Sequence, residues 1–133
     1  MVTKKQIRAN LEWVQKQILA QPKRYDQTWY CASFEDCKTV GCIAGWLDVR
    51  LNGFREHQKH DHLTVVYEAR KALGLKVEAP LVDLPATWIF YNDTWLFYND
   101  FGNKLGPIKT PGTLAAAKQA CKAIDMYMKE IGV

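Results

Sequence analysis

The chain has 133 residues, 48% of them hydrophobic and 24% charged, and its 18 Lys and Arg against 14 Asp and Glu give a net charge of +4. That length and balance describe a single globular domain over residues 1–133 and exclude a disordered tail. No apolar run is long enough for a signal-peptide core or a membrane span, so a cytoplasmic protein with no membrane partner is expected. The mild basic excess permits an anionic ligand but lacks the dense basic stripe of a dedicated DNA binder, so nucleic acid is not an expected partner.

Thr3 and Gln6 have capping-box spacing, and Ile7, Leu11, Val14 and Ile18 then recur at steps of four, three and four. This predicts a first helix ending near Ala20 or Gln21, just before Pro22. Lys4, Lys5, Arg8, Lys16, Lys23 and Arg24 concentrate positive charge here, which reads as a solvated face. Residues 23–38 keep no period and read as a long irregular connection with Tyr25, Trp29, Tyr30 and Phe34 as packing anchors.

A second helix is predicted from about Val40 to Leu51, capped by Thr39 and stopped at Asn52-Gly53. It places Cys42 and Trp46 on one face, four residues apart, as core residues. A polar loop with His57, His60 and His62 leads to a third helix from about Leu63 to Leu73, with Gly74 as its stop. Val66, Ala69, Arg70 and Leu73 share one side of it, and Arg70 is expected to lay its stem on apolar surface while its charge stays in water.

Pro80 and Pro85 allow only short helical turns between Val77 and Asn92. The segment Trp88-Ile89-Phe90-Tyr91-Asn92-Asp93-Thr94 is then nearly repeated as Trp95-Leu96-Phe97-Tyr98-Asn99-Asp100-Phe101, holding seven of the sixteen aromatics. A hairpin closed by Asn92-Asp93-Thr94 and a helical turn followed by an extended arm both fit it. Beyond Thr113 a long amphipathic helix is predicted, with Leu114, Ala117, Cys121, Ile124, Met128 and Ile131 along its apolar side and Gly132 as its end. The fold class is therefore mostly α: a single small helical domain with long irregular loops and room for one short hairpin.

Three kinds of chemistry compete. Trp and Tyr faces edged by Asn and Asp suit stacking on a flat polar ring, which makes Trp88, Tyr91, Asn92, Trp95, Tyr98 and Asn99 the candidate ligand-binding residues, although core packing explains the same aromatics. Cys37 and Cys42 near a helix start could supply a nucleophilic thiolate with a loop histidine as base, but no triad spacing supports it. Cys31, Cys37 and Cys42 with the three histidines are donors suited to zinc, yet the spacing matches no common zinc motif. No catalytic residue, no metal ligand and no cofactor is assigned.

Cys37-Lys38-Thr39-Val40-Gly41-Cys42-Ile43-Ala44-Gly45-Trp46, Ala69-Arg70-Lys71-Ala72-Leu73-Gly74-Leu75 and Ile89-Phe90-Tyr91-Asn92-Asp93-Thr94-Trp95 together form a pattern. It resembles that of a family of small uncharacterised proteins of bacteriophages and bacteria, with a departure at Lys38, where the family pattern has Gly. The resemblance implies no activity for any residue. Its phage context adds one expectation, a viral protein that sequesters a nucleotide signal of host defence. The reading is thus a non-catalytic binding protein for a small anionic, ring-containing ligand. A protein-interaction or homo-oligomerisation module is the alternative, followed by a Cys- or Zn-dependent enzyme.

Overall fold

The structure, a computed structural model, describes residues 2–25, 43–53, 62–75, 109–110 and 112–133. Within them lie four helices, α1 (Lys4–Ala20), α2 (Ile43–Asn52), α3 (His62–Ala72) and α4 (Leu114–Ile131), and a 3₁₀ turn at Pro22–Arg24. No strand occurs among the described residues, and the mostly α class stands. The Thr39 cap, Cys42, the turns expected over 77–92 and the hairpin or arm at 88–101 lie outside them.

α1 begins as its sequence dictates. Thr3 Oγ1 accepts from the Gln6 amide at 3.1 Å, and Gln6 Oε1 accepts from the Thr3 amide at 2.8 Å, so two amides of the first turn are satisfied reciprocally. Leu11, Val14 and Ile18 are fully buried with Ile7 packed beside them. Each such branched side chain contributes roughly 1.5–3 kcal/mol relative to exposure. Pro22 lacks the amide that another turn would need and instead opens the 3₁₀ turn.

The helices pack in the spatial order α3–α2–α1–α4. Ile43, Trp46 and Leu47 of α2 meet Ala69 and Ala72 of α3, Leu73 just beyond it and the buried face of α1 in one core. α3 stops in a Schellman motif: the Leu75 amide donates to Arg70 O at 2.9 Å and the Gly74 amide to Lys71 O at 3.1 Å, with Gly74 at φ +67°. One expectation fails here. Arg70 is only 3% exposed, so its charge is buried with its stem, in contact with polar or charged partners, rather than kept in water.

α4 runs antiparallel to α1, because Gln15 reaches Cys121 and Asp125 while Arg8, nearer the start of α1, reaches Val133 O. Thr113 caps it by accepting from the Ala116 amide at 3.2 Å, and Gly132 ends it at φ +77°. Its buried face differs from the predicted one. Ala117, Ile124 and Met128 are buried as expected, but Leu114 is 50% exposed, and the face centres on Ala116, Ala120, Ala123 and Tyr127. A stripe of alanines lets a neighbour approach closely, so the helix turns its small residues inward and leaves its first leucine out.

Candidate functional site

The six ligand-binding candidates, Trp88, Tyr91, Asn92, Trp95, Tyr98 and Asn99, lie outside the described residues, as do Cys31, Cys37, Cys42, His57 and His60. The framework offers three polar constellations that composition alone did not single out.

The first joins α1, α2 and α3. Trp46 is buried and meets Trp13 edge to face, with ring centroids 6.1 Å apart. One turn further along α2, the exposed Arg50 lays its guanidinium over the Trp13 ring, 5.5 Å from the centroid. Arg50 Nε donates to Asn10 Oδ1 at 3.3 Å, and Asn10 Nδ2 donates to Ala72 O at 2.9 Å, at the end of α3. Electrostatic attraction to the ring and the fixed amide hold a positive group at the surface in one orientation. The four-residue spacing of Trp46 and Arg50 was visible in the sequence, whereas Trp13 and Asn10 come from a different helix.

The second lies between α2 and α3. Asp48 is 4% exposed and accepts from Asn52 Nδ2 at 2.8 Å; the same amide group reaches Glu68 Oε2 at 3.3 Å, and Lys71 Nζ stands 3.5 Å from Glu68 Oε1. Asp48 and Arg70 each take part in further polar or electrostatic interactions. The Asn52 side chain, reaching both Asp48 on its own helix and Glu68 on the next, ties α2 to α3.

The third is the α1–α4 seam. Gln15 Nε2 donates to Cys121 O at 3.0 Å and to Asp125 Oδ1 at 2.7 Å, while Cys121 Sγ donates to Gln15 O at 3.6 Å. Burial, aided by the negative charge of Asp125, pushes the Cys121 thiol from 9.0 to about 11. It is therefore protonated near neutral pH and is no nucleophile. Burial, with a smaller contribution from Glu130, likewise raises the Tyr127 phenol above its ordinary value of 10.0.

Among the described residues no three His, Cys, Asp or Glu side chains converge on a point where a metal ion could sit. Nor is any helix among them long and apolar enough to cross a membrane. No family model, curated protein or solved structure matches the chain.

Proposed function

We propose that this chain is a non-catalytic binding protein for a small anionic ligand with a flat ring, of the nucleotide kind, held by Trp88, Tyr91, Asn92, Trp95, Tyr98 and Asn99. One observation carries the reading: the near-exact repeat of an aromatic segment that carries Asn-Asp each time, which sets stacking faces beside hydrogen-bonding edges twice within fourteen residues. The protonated Cys121 supports the absence of thiol chemistry at that position. In the phage setting implied by the resemblance, the ligand would be a nucleotide signal of host defence that the protein sequesters.

The test is a calorimetric titration of the full chain with mono-, di- and cyclic nucleotides. Saturable binding is expected, and Trp95→Ala should weaken it by about 1–3 kcal/mol, the range for loss of one base-aromatic contact, with the far-UV signal and cooperative melt retained. A panel without saturable heat would remove the reading. It would favour a protein-interaction module; sedimentation equilibrium then reports self-association.

A further inference from the structure

The net charge of +4 averages two unlike parts. Residues 1–25 and 109–133 hold ten Lys and Arg against three Asp and Glu, a balance of +7, while residues 26–108 hold eight against eleven, a balance of −3. The sequence separates the two positive stretches by most of its length. The fold unites them, because α1 and α4 pack side by side and antiparallel.

Their outward residues form two stripes. On α1, Lys5, Arg8, Glu12 and Lys16 recur at steps of three and four; on α4, Lys118, Lys122, Asp125 and Lys129 recur at four, three and four, and all eight are exposed. Each stripe runs eleven residue steps from first lysine to last, about 16 Å of helix. The Lys5 and Arg8 end lies near Lys129, and Lys16 lies near Lys118 and Lys122, as the Arg8 to Val133 and Gln15 to Cys121 hydrogen bonds require. The two acids in the stripes are engaged within the pair: Glu12 forms an ion pair with Arg8, and Asp125 accepts from Gln15. Lys4, Lys23 and Lys109 add exposed positive charge toward the ends.

We infer that this face binds the phosphate backbone of double-stranded nucleic acid without reading its sequence. Over about 16 Å a duplex presents about five phosphates on each strand, and the three cations of each row can meet about half of them. The cations are mostly lysines, flexible point charges suited to phosphate contacts rather than to bidentate recognition of base edges. Neither stripe contains an aromatic residue, so the stacking platform that single strands require is missing from it. The large exposed apolar side chains of α1 and α4 are Leu19 and Leu114, too little for an amphipathic surface lying in a bilayer or for the anchored centre of a protein interface.

The full chain is titrated into a labelled DNA duplex of about 20 base pairs, roughly two helical turns, and anisotropy is followed from about 50 to about 200 mM salt. Binding indifferent to sequence is expected, with log K falling against log salt at a slope of about −3 to −5. Lys16→Gln, Lys118→Gln and Lys122→Gln together should weaken binding at least about tenfold at low salt and make the slope shallower by about 2 to 3. These exposed helix positions accept glutamine without loss of fold, which far-UV signal checks. Lys71→Gln, at an exposed position on α3, should leave binding nearly intact. The inference fails if the wild type does not bind duplex at low salt, if Lys71→Gln weakens binding as much as Lys118→Gln alone, or if vesicles containing phosphatidylglycerol bind more tightly than the duplex.

Discussion

Trp13 on α1 and Trp46 on α2 meet edge to face at 6.1 Å between centroids with their planes inclined at 62°. That geometry sets the positive ring edge against the negative face and is worth about 0.5–1.5 kcal/mol beyond the area buried. Trp46→Ala should destabilise the fold by about 3–5 kcal/mol, since it empties a closed site. Trp13→Ala, at a half-buried position, should cost less. A double-mutant cycle by urea melts should recover the coupling, and strict additivity would show that the two rings do not interact.

Gly74 and Gly53 both adopt positive φ, at +67° and +74°. An added Cβ at Gly53 has nothing within 4 Å, whereas one at Gly74 meets Ile7 Cδ1 at 3.4 Å and Val2 at 3.8 Å. Alanine at either position should cost about 1–2 kcal/mol, the strain of a left-handed backbone. Valine separates them: Gly74→Val should be clearly worse than Gly53→Val in thermal melts, because only Gly74 is packed against α1.

Alkaline pH should weaken the fold through Cys121. Its thiol titrates at 9.0 when unfolded and at about 11 in the native state, so above pH 9 the unfolded chain binds fewer protons and gains population. The contribution is intact below pH 9 and is lost as pH rises toward about 11. Tyr127, raised from 10.0, adds a second loss that begins higher. Cys121→Ser keeps a donor for Gln15 O but does not titrate in this range. Its melting temperature should fall less than that of the wild type between about pH 8.5 and 10.5. Parallel declines in the two proteins would contradict the assignment.

Arg70 and Lys71 are adjacent in sequence but opposite in environment, one 3% exposed and the other at the surface. Arg70→Ala should cost about 3–5 kcal/mol, because it strips a buried charge from its partners, while Lys71→Ala should stay within about 0.5 kcal/mol of wild type. An Arg70→Ala cost as small as that of Lys71→Ala by chemical denaturation would mean that the buried guanidinium contributes nothing to stability.

Local chemistry made the helices legible. The Thr3–Gln6 capping box, the Thr113 cap and the glycines at 53, 74 and 132 are short-range signals, and each stands where the sequence places it. The errors have a common origin in tertiary contact. Counting apolar residues put Leu114 on the buried side of α4 and missed the alanine stripe, and snorkelling was assumed for Arg70, whose charge is solvated by protein groups instead. The Trp13–Arg50–Asn10 constellation and the joined basic stripes need residues 37 to over 100 positions apart to meet, which no periodicity announces. The aromatic repeat was visible as a pattern, but its residues fall outside the described parts of the chain.

Native mass spectrometry of protein purified gently from its own cells tests ligand binding most directly. The account predicts a chain carrying a small phosphate-containing molecule in a fixed ratio, which collisional activation releases and added nucleotide restores after stripping. A bare chain, or a bare oligomer of it, that also takes up no nucleotide when one is supplied would contradict it.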